Sequence, residues 1–201
     1  MRLHFMARGV GAGALLCLPT IALAHSPMQG IGEFYSGILH PLLVPAHALA
    51  LVLLALVAGQ NGLGAIRRCH LGFLPALALG LVLAGLGNGS EVKLEPALLL
   101  ASVLAGLLVV LQWRPPLPLF YAAGAGVGLL LGLDSAPGDL APGPAAASLL
   151  GTGLGAFTCL LLLADLSERA RRHWQRVALR VLGSWGTASA TLVFALGWLA
   201  A

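Results

Sequence analysis

The sequence predicts an all-α membrane protein with six transmembrane helices behind a cleaved N-terminal signal peptide. Three observations carry that expectation. Only 9% of the 201 residues are Asp, Glu, Lys or Arg, where a soluble domain carries about 25%. The mean hydropathy is +0.94, and it is concentrated in apolar runs near the roughly 20 residues a helix needs to cross the hydrocarbon core. The basic residues cluster in the gaps between alternate runs. Eleven basic and seven acidic side chains cannot clothe a soluble fold of this length, so soluble globular classes, disorder and coiled coils are excluded. Nucleic-acid binding is excluded too: the pI is near 9.5, but the cations are few and sit at the ends of apolar runs.

The leader comes first. Arg2 and Arg8 precede an apolar stretch over residues 9–24 that closes on Ala22-Leu23-Ala24, the order of a basic region, an apolar region and a small-residue cleavage site. Residues 1–24 are expected to be removed between Ala24 and His25, leaving 25–201 as the transmembrane domain. Leu16 stands before Cys17, where a lipoprotein signal needs a small residue. Cys69 and Cys159 then remain, and two scattered cysteines imply no disulfide framework.

The spans are expected at about 38–59, 71–87, 96–113, 117–133, 146–165 and 177–200. The loops between them are short and leave no room for a soluble domain, so function must lie inside the bundle or at its rims. Arg67 and Arg68, Arg114, and then Arg169, Arg171, Arg172, Arg176 and Arg180 fall around alternate gaps. The other gaps hold Glu91, Lys93 and Glu95, then Asp134 and Asp139. This asymmetry places the arginine side in the cytoplasm, with both mature termini in the periplasm of an inner-membrane protein. Gly124, Gly128 and Gly132 repeat every four residues in span four, as do Ala147, Gly151, Gly155 and Cys159 in span five. Small residues at that interval let helix backbones approach closely in lipid, and the simplest expectation is tight packing of spans four and five. Pro115, Pro116 and Pro118 stiffen one short turn; Pro137, Pro142 and Pro144 stiffen a longer outer loop. Asp165 and Arg169, and Glu168 and Arg172, have the i,i+4 spacing of an interfacial helix end.

Polar side chains at membrane depth carry the functional signal. Span one opens Gly37-Ile38-Leu39-His40-Pro41-Leu42-Leu43-Val44-Pro45-Ala46-His47. His40 and His47 share a helical face, but seven residues rise about 10.5 Å on an ideal helix, too far for one ion with nitrogen ligands at about 2 Å. Pro45 should bend or loosen the helix between them. Either the break brings the imidazoles together, or they are successive stations on a path, or each simply donates a hydrogen bond to a neighbouring helix. His25, as a new N-terminus, could chelate a divalent ion through its amine and imidazole. Glu95 before Pro96 reads first as a helix start. Cys69-His70 reads first as part of a basic topogenic loop. No motif supports catalysis, and Ser184 beside Gly183 reads as a helix contact.

The segment Glu33-Phe34-Tyr35-Ser36-Gly37-Ile38-Leu39-His40-Pro41 through His47 resembles the first-span signature of the HupE/UreJ family, G-F-x-x-G-(F/L)-x-H-P-x-x-G-x-D-H. The run Leu94-Glu95-Pro96-Ala97-Leu98-Leu99-Leu100-Ala101-Ser102-Val103 resembles the start of that family's third span. The resemblance implies a small bacterial membrane protein of hydrogenase or urease maturation that acts as a nickel permease and is not an enzyme. It implies His40 and His47 as metal ligands with Glu95 as a third, and a divalent ion, Ni2+ in the type case, that is cargo and not a resident cofactor. The implied partners are the bilayer, the ion, and a second copy or a metalloenzyme maturation protein. Departures are specific: Ala46 stands where the family has its acid, Val44 where it has Gly, and no His occurs around the end of span four or at Leu160 to Leu163. The alternative is a non-transporting accessory subunit that has lost metal ligands and serves assembly or partner binding.

Reporter fusions should give phosphatase activity at Asp139 and none at Arg68 or Arg171, and intact mass should show a mature chain that starts at His25. A cytoplasmic signal at Asp139 would overturn the six-span topology.

Overall fold

Proline decides where the first apolar run stops being one helix. In the computed structural model, which describes residues 32–88 and 94–199, α1 (Gly32–Leu43) and α2 (Pro45–Gln60) meet at a bend of 70°. Pro45 has no N–H to give to the preceding turn, and its ring drives the residue before it out of the helical region. Val44 accordingly sits at φ −84°, ψ 114°. Helical bonding resumes on both sides, with Val44 N–H donating to His40 O at 3.1 Å and Ala48 N–H to Val44 O at 3.0 Å. The single span expected at 38–59 is therefore two helices. The expected signal peptide and His25 lie outside the described residues.

α2 is apolar on every face, and a helix of that kind belongs in the middle of a bundle. It touches all the other helices, and Ala46, Ala50, Leu51, Leu53 and Ala55 are essentially inaccessible. α3 (Leu63–Leu83) follows a tight turn in which Gly62 takes φ 85°. It begins eight residues before the expected 71, so Arg67 and Arg68 are not loop residues. They project from the exposed side of its first turns while Ala65, Ile66 and Cys69 are buried on the other, which lets the helix extend without burying a charge. The chain then passes through a π-helical turn over Ala84–Asn88, with Gly87 at φ 77°. α4 (Glu95–Leu111) ends on Gln112 in the left-handed region at φ 52°, where Trp113 N–H donates to Leu108 O at 3.2 Å. α5 (Leu117–Asp134), α6 (Pro142–Glu168) and α7 (His173–Leu199) complete an all-helical array, with no strand among the described residues.

By length and composition, α3 with its π turn, α5, α6 and α7 can each cross a membrane, and the bent pair α1–α2 makes a fifth candidate. α4 is apolar but has 17 residues, at the lower end of what spans a bilayer. The chain is a membrane protein.

The glycine stripes do bring backbones together, but not the pair expected. Gly124, Gly128 and Gly132 of α5 lie on the backbone of α3, where a Cβ on Gly128 would stand 2.5 Å from Phe73 O and one on Gly132 2.7 Å from Leu77 O. Gly72 and Gly80 of α3 complete that contact from the other side. Gly151 and Gly155 of α6 lie on the backbone of α1, against Phe34 and Ile38. The small-residue pattern reports that a neighbour comes close and carries no label for which one.

Gly128→Ala should therefore lower the thermal stability of the detergent-solubilised protein by about 1–3 kcal/mol through overpacking. Gly126→Ala, on the same helix with nothing within 4 Å of the added carbon, should leave stability equal or slightly higher. Equal losses would contradict the α3–α5 packing.

Candidate functional site

The break at Val44 does what the straight-helix arithmetic forbids. The rings of His40, late in α1, and His47, in the first turn of α2, lie with centroids 5.4 Å apart and planes at 73°. Of the arrangements the spacing left open, the bend brings the imidazoles together. His47 is 1% exposed, and its Nε2 is 2.9 Å from Oδ2 of Asp134, the last residue of α5, whose side chain is 24% exposed. As a carboxylate Asp134 can only accept, so His47 donates from Nε2, and in the neutral imidazole Nδ1 then carries the lone pair. That Nδ1 is buried with no hydrogen-bond partner among the described residues.

This is the arrangement in which a carboxylate fixes a histidine's tautomer and leaves the opposite nitrogen to bind a metal. The backbone reinforces it. Asp134 stands at the negative end of α5, which is unfavourable for an anion, but it faces the first turn of α2. The N-cap Val44 makes no side-chain cap bond there, and the carboxylate reaches that turn through the His47 side chain. A buried imidazole and a partly exposed carboxylate thus share one corner of the bundle, at the first turn of α2.

Asp134 is the residue that sequence reasoning missed, having counted it only as an outer-loop charge. The available signal was its place as the final residue of an apolar run, ahead of the proline-rich loop. It supplies in space the acid that Ala46 lacks in sequence, and Ala46 itself is fully buried against the core.

The other expected residues are not brought here. Glu95 is exposed in the first turn of α4, the helix-start role, with no bond to either histidine among the described residues. Cys69 is buried in the core, whereas His70 Nδ1–H donates to Ile66 O at 2.8 Å and its ring meets Phe157 edge-on at 5.7 Å, so the two neighbours do not act as a pair. Among the described residues, no group of three or more His, Cys, Asp or Glu is placed to hold a metal ion. The corner offers two imidazoles and one carboxylate that already bonds one of them.

Asp134→Ala strands both nitrogens of a buried imidazole and should destabilise the protein by about 1–3 kcal/mol, read as a fall in melting temperature. Asp134→Asn keeps an acceptor carbonyl and should cost less. Equal melting of all three proteins would show that the pair is not formed.

The sequence profile described as HupE / UreJ protein matches the chain over residues 13–194. No curated protein and no solved structure matches it.

Proposed function

The chain belongs to the HupE/UreJ family, and on that premise we propose that it is an inner-membrane permease of six crossings for a divalent transition metal, nickel first, supplied to metalloenzyme maturation. The carrying observation is the corner at the break: His40 and His47 rings 5.4 Å apart, with His47 held by Asp134. The ion is cargo, written here as substrate.

Each group has a task in that reading. Asp134, partly exposed and on the periplasmic side of the arginine asymmetry, draws a cation in and offsets part of its dehydration. His47 presents Nδ1, oriented by the bond from Nε2. His40 presents the second imidazole, and nitrogen donors suit nickel better than magnesium or calcium. Two or three protein ligands leave water on the remaining positions, which favours passage over permanent retention. Beyond His47, the body of α2 is packed with apolar side chains on all sides, so the site opens toward one face only and transfer requires a second arrangement of the helices. Glu95 has at most an indirect part, and His25 would act at the periplasmic surface.

The second reading, an accessory subunit that does not transport, draws on Ala46 and on the lack of a three-ligand group among the described residues. Uptake separates the two. In a transport-deficient host, radiolabelled nickel, cobalt and zinc should accumulate with wild type. Accumulation should fall at least tenfold in His40→Ala, His47→Ala and Asp134→Asn at equal protein level, and little in Glu95→Gln. Wild-type uptake equal to empty vector for all three ions would remove the transport reading and leave the accessory one.

A further inference from the structure

At the opposite end of α2 the three turns of the arginine-bearing face close around a polar cavity of about 360 Å3. Its walls are the α2–α3 turn at Gln60 and Asn61, the α4–α5 turn at Gln112, Trp113 and Arg114, and the α6–α7 connection with Arg171 and Arg176. Three arginines therefore line one cavity, against a single acidic residue, Glu168. That carboxylate is already paired, with Arg171 Nη2 at 3.0 Å from Glu168 Oε1. Arg114 and Arg176 have no carboxylate within ion-pairing distance among the described residues.

Three helices also end at this cavity, and helix C-termini oppose an anion. Their last carbonyls, however, are largely taken. Asn61 Nδ2 donates to Val57 O at 2.8 Å, and Arg180 Nε to Val110 O at 3.1 Å. Ala170 N–H donates to Ser167 O at 3.2 Å, and Trp113 N–H to Leu108 O. Among the lining residues, the arginines left without an ion pair are Arg114 and Arg176, the latter in the first turn of α7. Guanidinium groups bind phosphate oxygens two at a time, and basic pockets between helices on the cytoplasmic side are where anionic lipid headgroups seat. Trp113, 57% exposed, and Leu179 give the lining an apolar edge toward the bilayer.

We propose that this cavity binds a phosphate-class anion, at this depth the headgroup phosphate of an anionic phospholipid, through Arg114 and Arg176. The site is independent of metal transport, since it needs only the fold and the charges on this face. It adds to the two bonds that already join these ends, Arg180 Nε to Val110 O and Ser167 Oγ to Leu56 O: Arg114 follows α4, Arg176 lies in the first turn of α7, and the α2–α3 turn lines the same cavity. A bound headgroup bridges them and stiffens the end of the bundle opposite His47.

Native mass spectrometry of the full chain in detergent, with phosphatidylglycerol, phosphatidylcholine or inorganic phosphate added, tests this. Wild type should retain phosphatidylglycerol about tenfold over phosphatidylcholine. Arg114→Gln with Arg176→Gln should lose that preference, and Arg114→Lys with Arg176→Lys should keep part of it, because charge remains but the planar fork is gone. Arg67→Gln with Arg68→Gln removes the same charge from α3, outside the cavity, and should change nothing. Displacement of the lipid by millimolar inorganic phosphate would support the same anion site with a soluble source. An equal loss in the α3 control, or full retention when Arg114 and Arg176 are both replaced by Gln, would overturn the proposal by showing a diffuse charge effect.

Discussion

Pro45 cannot donate a backbone hydrogen bond, and the meeting of His40, His47 and Asp134 depends on that missing donor. Without it, residues 32–60 would run as one helix, and the two imidazoles would stand about 10.5 Å apart along its axis. With it, Val44 turns extended, α1 leaves at 70° to α2, and the rings touch edge to face. The bend has a second consequence. It starts α2 as a separate helix at Pro45, with His47 in its first turn bonded to Asp134. In lipid, an interrupted helix is tolerated where the broken backbone is covered by protein or lines a cavity; here Pro41, Ala46 and His47 are buried on one side of the break while Leu43 is 65% exposed on the other.

The rest of the packing makes that corner reachable. α1 can lie against α6 because Gly151 and Gly155 leave backbone on backbone, and α5 is fixed along α3 by its own stripe. Those two contacts set where the end of α5 falls relative to the start of α2. The stabilising terms are van der Waals contact and a few buried hydrogen bonds, since apolar area gains little when lipid is the alternative. Ser167 Oγ donating to Leu56 O at 3.1 Å is one such bond, joining α6 to α2. A Cβ at Gly128 would meet Phe73 O at 2.5 Å, on the helix whose last residue is Asp134.

The all-helical apolar architecture and the break in the first span were legible in the chain, the latter because proline acts on its immediate neighbours. What was not legible is long-range. His47 and Asp134 are 87 residues apart, and nothing local says that the end of one helix meets the start of another. The glycine stripes were read correctly as contact surfaces and paired wrongly, since the interval of four that brings Gly132 against Leu77 is the same interval that brings Gly155 against Ile38. Arg67 and Arg68 were read as a loop because charge interrupts an apolar run in sequence; on the helix they occupy only its outer side. Glu95 was legible, and its helix-start role is what its neighbour Pro96 suggested.

The account stands on the bend making one metal corner out of two distant histidines. X-ray absorption on the nickel-loaded protein counts imidazole ligands through their multiple-scattering signature. The account predicts two imidazoles in wild type and at most one in Pro45→Ala, where the restored backbone bond straightens the first span. The same imidazole count in both proteins, or none in either, would contradict it.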